Sequence, residues 1–209
     1  MGATPKTIQI FLPTGDPSGI RIAEITTRIV QVIDVPRSRV ANFLELPESE
    51  HVALYFLCGS TDADELEVYV GQTGDLRKRL KKHQTDPKRE FWDRALIVIS
   101  KTKSLTQTHA LFLEWFCIQG IRKAARYLDQ NGNSGTRPHT PAPLKADCME
   151  IFETAKTLAA TLGHPLFESF DRPNQAGSLT AQIKLEKTTS ISASEEVRTA
   201  RGSIPMMAL

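Results

Sequence analysis

A tyrosine, an arginine and a histidine lie close together in one short stretch of the chain, residues 68–83. Tyr69 lies in an alternating apolar segment that predicts a strand, and glycines at positions 71 and 74 end that strand. Arg79 and His83 follow four residues apart, on one face of the predicted next helix. Arginine binds phosphate oxygens in a bidentate manner, whereas tyrosine and histidine can move protons. The stretch therefore favours chemistry at a phosphate group.

The same stretch resembles a known family. Tyr69-Val70-Gly71, followed by Asp75-Leu76-x-x-Arg79-Leu80, is similar to the second half of the GIY-YIG nuclease signature. The first half corresponds to Ala53-Leu54-Tyr55, where the tyrosine is kept and Ala53 replaces the family's glycine. The resemblance covers residues 50–135 and implies a metal-dependent endonuclease that hydrolyses phosphodiester bonds in nucleic acid, DNA above all.

Glu114 is a single acidic residue within the apolar run 110–118. A carboxylate among large apolar side chains is costly to bury unless it is paired or holds a cation, although a helix could also turn it towards solvent. The family resemblance implies that Glu114 binds Mg²⁺ or Mn²⁺, because the family carries a metal-binding glutamate on the helix after its third strand.

The resemblance also implies roles for the other residues. Arg79 would neutralise the phosphate, and Tyr69 or Tyr55 would position or deprotonate the attacking water. His83 would shuttle a proton or bind phosphate. An asparagine follows the metal-binding glutamate in the family, and both Asn131 and Asn133 match it; either could instead be an ordinary turn residue.

Basic residues are concentrated in residues 77–89, although the net charge of the whole chain is only +2. Arg77, Lys81 and Lys82 lie on the predicted helix directly after the glycine turn. A basic helix face is often merely solvated, but this position favours contacts with a nucleic-acid backbone. We therefore expect these three residues to bind nucleic acid.

The apolar pattern predicts an α+β fold with a small three-stranded antiparallel sheet, built from strands 52–57, 65–70 and 95–100. Helices 75–83 and 104–126 would flank this sheet, and strand 95–100 would be central because it is almost entirely apolar. Segments 7–12 and 20–25 predict a hairpin, and residues 28–35 predict a further strand. Together these strands would form a separate N-terminal β-unit.

Four regions follow from this pattern: a β-unit over 1–49, a nuclease-like domain over 50–135, a linker with an amphipathic helix (145–162) over 136–170, and a disordered tail over 171–209. The tail is rich in Ser, Thr and charged residues and poor in aromatic ones. The β-unit or the 145–162 helix could bind a protein partner.

The cysteines and the hydropathy predict the compartment. Cys58, Cys117 and Cys148 are widely spaced, which favours neither a zinc site nor a disulfide framework. No apolar run approaches the roughly 20 residues of a membrane span, and no signal-peptide core is visible. We expect a cytoplasmic protein without a membrane segment. Two alternatives to a nuclease remain open: a catalytically silent nucleic-acid-binding module and a protein-interaction module.

Overall fold

The computed structural model of the chain describes residues 4–61, 63–133 and 135–169. The predicted disordered tail, 171–209, lies outside the described residues. Within them, seven strands form one mixed sheet in the order β1-β2-β3-β6-β4-β5-β7. The strands are β1 Ile8–Phe11, β2 Arg21–Ile25, β3 Val30–Pro36, β4 Ala53–Ser60, β5 Leu66–Thr73, β6 Trp92–Ser100 and β7 Leu128–Asp129. The helices are α1 Val40–Leu44, α2 Leu76–Thr85, α3 Gln107–Ala124 and α4 Ala142–Thr161.

The prediction of a three-stranded sheet with a separate β-unit is wrong, although the fold is still α+β. The predicted central strand, β6, is indeed paired on both edges: β4 lies on one side and β3 on the other. Ile33 of β3 lies opposite Ile97 of β6, and both side chains are fully buried. The N-terminal strands pair with the second edge of β6 through β3, so they extend the sheet instead of forming a separate unit.

The outer strands are held by a hairpin and an ion-pair cluster. β1 and β2 pair antiparallel, which confirms the predicted hairpin. The buried carboxylate of Asp34, on β3, accepts hydrogen bonds from Arg21 on β2 and from Arg94 on β6. A buried charge must be paired to be tolerated, so this cluster ties three strands together. β1 forms one end of the sheet, where Ile10 and Phe11 are exposed.

Helices cover both faces of the sheet. On one face, α3 and α4 pack against the strands, and α4 buries its predicted apolar side, which includes Phe152 and Leu158. On the other face, α1 and α2 contribute Phe43, Leu76 and Leu80 to a second core. The apolar side of α4 is therefore used within the fold. A protein partner for this helix stays a prediction.

The turn between β5 and α2 places the start of α2 close to the end of β5. The Asp75 carboxylate accepts a hydrogen bond from the backbone N–H of Lys78 at 3.0 Å, which caps the first turn of α2. Leu76 and Leu80 are almost fully buried, as their spacing predicted. This inward face fixes the rotation of α2, so that Arg79 and His83 are directed towards β4 and β5.

The long helix α3 begins at Gln107, slightly later than the predicted start at residue 104. The backbone N–H of Thr106 donates to Nδ1 of His109 at 3.2 Å, and this contact stabilises the first turn. The helix ends where Ala125 adopts the left-handed conformation, with a φ of 51°. None of the described helices is long and apolar enough to cross a membrane.

Candidate active site

The hydroxyl of Tyr55 connects α2 with β4 at the centre of the candidate site. Nε of Arg79 donates a hydrogen bond to this hydroxyl oxygen at 2.9 Å. Nε2 of His83 lies 2.9 Å from the same oxygen. The three side chains that the sequence places in two distant motifs are therefore in direct contact. Tyr55 is fully buried and His83 is 5 % exposed, so the hydrogen bond between them is shielded from water, whereas the bond from Arg79 is partly buried.

The proton positions in this cluster follow from burial and charge. Burial, together with the guanidinium groups of Arg79 and Arg89, lowers the pKa of His83 to about 4, so its imidazole is neutral at pH 7. The Tyr55 oxygen already accepts from Arg79, and we assign its own proton to a hydrogen bond that Nε2 of His83 accepts. The His83 hydrogen then lies on Nδ1, a buried atom that has no hydrogen-bond partner in the described residues.

Tyr55 itself is poorly suited to remove a proton from water. Burial, reinforced by the neighbouring Tyr69, raises the pKa of Tyr55 well above its ordinary value. Its hydroxyl therefore stays protonated and is already engaged with two side chains. Tyr55 therefore orients Arg79 and His83. A water molecule would have to contact other residues of the site.

Tyr69 lies beside this cluster and is only partly buried. Its ring centroid is 6.3 Å from that of Tyr55 and 5.6 Å from that of His83. The guanidinium carbon of Arg89 lies over the Tyr69 ring, 3.5 Å from the centroid. Within the described residues, no hydrogen bond uses the Tyr69 hydroxyl, so this group is available to a ligand or a water molecule.

Glu114 extends from α3 towards the same region, because α3 packs against β5. Burial raises the pKa of Glu114, and the nearby Arg79 guanidinium and the backbone N–H of Gln72 offset this shift only in part. Gln107 lies seven residues before Glu114, on the same face of α3. Its side-chain amide donates a hydrogen bond to the side-chain amide oxygen of Gln72. A carboxylate whose charged form is disfavoured by burial would be stabilised by a bound cation.

The residues present fit a magnesium-type ion better than a protein-enclosed metal. The described residues contain no group of three or more His, Cys, Asp or Glu side chains that could hold a metal. Mg²⁺ is usually bound through one or two carboxylates, several waters and substrate phosphates. Among the residues of this region, Glu114 is the carboxylate that could hold such an ion.

The basic residues of α2 divide into two groups. Lys81 and Lys82 are exposed, and none of the ion pairs among the described residues involves them or their neighbour Lys78. Arg77, in contrast, donates from Nε to the Ser49 hydroxyl at 2.8 Å and also pairs with Glu50. The two lysines therefore carry charges that no described ion pair uses, whereas Arg77 anchors α2 to the short helix Pro47–Glu50.

The two candidate asparagines are placed differently. The side chain of Asn131 accepts a hydrogen bond from the backbone N–H of Val70 and donates one to its carbonyl oxygen, at 2.9 and 2.7 Å. This pair fixes the segment after β7 to the strand that carries Tyr69. Asn133 is exposed and accepts from the backbone N–H of Gly135. Asn131 thus supports the site from its edge, and Asn133 has a turn contact.

Three residues of this region were not among the predicted site residues: Gln72, Arg89 and Gln107. Gln72 follows the predicted Tyr-Val-Gly segment directly, so its position at the end of the strand was a usable signal. Arg89 reaches Tyr69 only because of the loop that follows α2, and Gln107 reaches Gln72 only because α3 packs on β5. No pattern in the sequence indicates either of these contacts.

Comparisons with protein-family models, with curated proteins and with solved structures find no match for this chain.

Proposed function

We propose that the chain is a metal-dependent endonuclease that hydrolyses phosphodiester bonds in nucleic acid, with DNA as the expected substrate. The observation that carries this proposal is the contact of Tyr55 with both Arg79 and His83, next to Tyr69 and Glu114. Hydrolysis of a phosphodiester needs a bound phosphate, a positioned water molecule and stabilisation of the charge that develops. This cluster offers a group for each of these tasks.

Arg79 has the geometry to hold the scissile phosphate. Its Nε donates to the Tyr55 hydroxyl, and none of the hydrogen bonds or ion pairs among the described residues uses its two Nη atoms. A guanidinium held through one nitrogen has lost much of its conformational freedom before the ligand arrives, so its remaining donors bind at a lower entropic cost. Arg79 would thereby neutralise the phosphate and the charge that develops on it.

Tyr69 and Glu114 would act on the attacking water. Tyr69 has a free hydroxyl at the edge of the cluster, from which it can orient a water molecule towards the phosphate. Glu114 would hold Mg²⁺ or Mn²⁺, which supplies Lewis-acid polarisation of the phosphate and lowers the pKa of bound water. Neutral His83 would accept the hydrogen bond of the Tyr55 hydroxyl and so hold Tyr55, and through it Arg79, in place.

We further propose that the protein acts in the cytoplasm. The three cysteines are all free and buried. Unpaired thiols are typical of reducing compartments.

The alternative function is a catalytically silent nucleic-acid-binding module on the same fold. The complete burial of Tyr55 favours this alternative, because a buried hydroxyl with a raised pKa cannot act on solvent directly. The free lysines of α2 would then serve binding alone.

A plasmid-nicking assay separates these two functions. Supercoiled plasmid and a short labelled duplex are incubated with the protein in Mg²⁺, in Mn²⁺ and in excess chelator. The nuclease proposal expects strand cleavage that requires the metal and disappears in Glu114→Gln. Retained binding in a gel-shift assay, without cleavage in either metal, would support the silent module instead.

A further inference from the structure

The side chain of Arg89 lies beside the candidate site and makes few contacts that would stabilise the fold. Its guanidinium lies over the Tyr69 ring at 3.5 Å from the centroid, and the residue is only partly exposed. Within the described residues its guanidinium forms no ion pair and one hydrogen bond, from Nη1 to the carbonyl oxygen of Gln130 at 3.4 Å. Nε and Nη2 therefore remain as free donors beside the predicted phosphate-binding group.

The loop that carries Arg89 is fixed from behind by another arginine. Arg37, which precedes α1, donates through Nη1 to the carbonyl oxygens of Glu90 at 2.9 Å and Trp92 at 3.2 Å. Its Nη2 donates to the carbonyl oxygen of Gln84 at 3.2 Å, and its guanidinium also lies over the Trp92 ring. Arg37 thus joins both ends of the loop between α2 and β6. A residue on a loop fixed in this way is pre-organised for a ligand.

Two guanidinium groups consequently flank one cluster. Arg79 contacts the Tyr55 hydroxyl, and Arg89 contacts the Tyr69 ring. Both are close enough to His83 to disfavour its protonated form. Guanidinium groups that stack on aromatic rings and keep free N–H donors are typical of phosphate and nucleic-acid recognition.

We propose that Arg89 forms a second phosphate-binding subsite, which takes the nucleic-acid phosphate adjacent to the one bound by Arg79. This inference rests on the proposed function, because it assigns a nucleic-acid strand to the same site. The ring of Tyr69 supports the guanidinium from one side, and the free Nε and Nη2 atoms donate to the phosphate oxygens. The subsite would set the direction of the strand relative to Tyr69 and Glu114.

Two substitutions of Arg89 test the subsite. Arg89→Gln removes the charge, whereas Arg89→Lys keeps the charge and loses the planar fork. The matched control is Lys6→Gln, which removes one exposed charge next to β1, at the opposite end of the sheet. Binding of a fluorescent oligonucleotide, single-stranded and duplex, is measured by anisotropy over a salt series, and single-turnover cleavage is measured in Mn²⁺.

The subsite predicts a separation between the two variants. Arg89→Gln should bind about tenfold more weakly at low salt, and its log–log salt slope should fall by roughly one unit, because one phosphate contact is lost. Arg89→Lys should keep the parental slope while it binds severalfold more weakly. Lys6→Gln should match the parent in slope and in cleavage rate.

Other results would overturn the subsite. An unchanged salt slope in Arg89→Gln, with a lower cleavage rate in both variants, would make Arg89 a positioning residue for Tyr69. If the parent cleaves, and Arg89→Gln binds and cleaves as well as the parent, the subsite is overturned and the proposed nuclease stays intact. A parent that never cleaves, but whose salt slope depends on Arg89, would overturn the nuclease and support the subsite. A parent that does not bind would overturn both.

Discussion

Gly71 lies directly opposite Tyr55 in the β4–β5 pair, and the Tyr55 ring lies against its backbone. A Cβ atom at position 71 would lie 2.9 Å from Cε2 of this ring and closer still to Cζ and the hydroxyl. No side chain fits at this position while the Tyr55 ring remains there. The position of the Tyr55 ring on β4 therefore requires glycine at position 71 on β5. The two motifs depend on each other through this contact.

Gly71→Ala should therefore disrupt the site through Tyr55. We expect the extra methyl group to displace the ring, break its hydrogen bonds with Arg79 and His83, and reduce cleavage to background. Overpacking of this kind costs about 1–3 kcal/mol, so the melting temperature should fall by several degrees. Nicking assays and thermal unfolding measure the two effects.

Gly74→Ala is the matched control for that substitution. A Cβ atom at position 74 would meet only the side-chain oxygen of Gln107, at 3.0 Å, and that flexible group can move. We expect nearly parental stability and retained cleavage. If Gly71→Ala cleaved as fast as Gly74→Ala, the placement of Tyr55 against Gly71 would not matter for function.

Glu114→Gln should abolish metal-dependent cleavage and leave the fold intact. The substitution removes the negative charge with little change in volume, and burial already disfavours that charge. The free energy of unfolding should stay within about 0.5 kcal/mol of the parental value. Titration of Mn²⁺ into the protein–oligonucleotide complex should show binding that is lost in the variant. The control is Glu153→Gln on the exposed side of α4, which should leave both properties unchanged. If Glu114→Gln cleaved at the parental rate, the assignment of the metal to Glu114 would be wrong.

The sequence predicts the elements of this fold better than their assembly. The alternation in β4 and β5 and the apolar run of β6 located these strands, and the burial of β6 on both faces was foreseeable. Which strand covers its second edge was not, because β3 pairs with β6 across about sixty residues of chain. Hydrophobic periodicity describes how a strand is buried but contains no information on a distant partner.

The candidate site shows the same division. Arg79 and His83 share a helix face by their spacing alone, and the structure brings both to Tyr55. The contact of Arg89 with Tyr69, in contrast, depends on a loop conformation that Arg37 stabilises from a distant part of the chain. Local spacing predicts contacts within one element, and contacts made by loops require the tertiary structure.

The exposed lysines of α2 and the half-buried Arg79 should have separable roles. The double variant Lys81→Ala/Lys82→Ala should weaken binding evenly across sequences and reduce the log–log salt slope by roughly two units, because two phosphate contacts are lost. Its cleavage rate at saturating oligonucleotide should stay close to the parental rate. The control Lys6→Ala/Arg28→Ala removes the same charge near β1 and β2 and should keep the parental slope. An unchanged slope in the lysine variant would place the nucleic acid on another surface.

Arg79→Lys should affect turnover more than binding. Lysine keeps the charge but loses both the planar fork and the fixed Nε contact with Tyr55. Loss of one pre-organised donor to the reacting group typically costs about a hundredfold or more in turnover. Single-turnover rates and anisotropy measure the two quantities. Equal losses in binding and turnover would make Arg79 a docking residue.

His83 should make the stability of the protein depend on pH below about 6.5. Its pKa is about 4 in the folded protein and about 6.5 in the unfolded chain. Between these values the unfolded chain binds a proton that the folded protein does not. The stabilisation is therefore complete above pH 6.5 and declines by about 1.4 kcal/mol per pH unit as the pH falls towards 4.

Urea unfolding of the parent and of His83→Gln, at pH values from 4 to 7.5, isolates this contribution. Other groups, including Glu114 and His164, also have shifted pKa values, but they are common to both proteins and cancel in the difference. The difference curve should rise with pH at about 1.4 kcal/mol per unit and level off above pH 6.5. His139→Gln, at an exposed position before α4, should run parallel to the parent. A flat difference curve for His83→Gln would mean that His83 is protonated alike in the folded and unfolded states. The proton acceptor assigned to the Tyr55 hydroxyl would then be wrong.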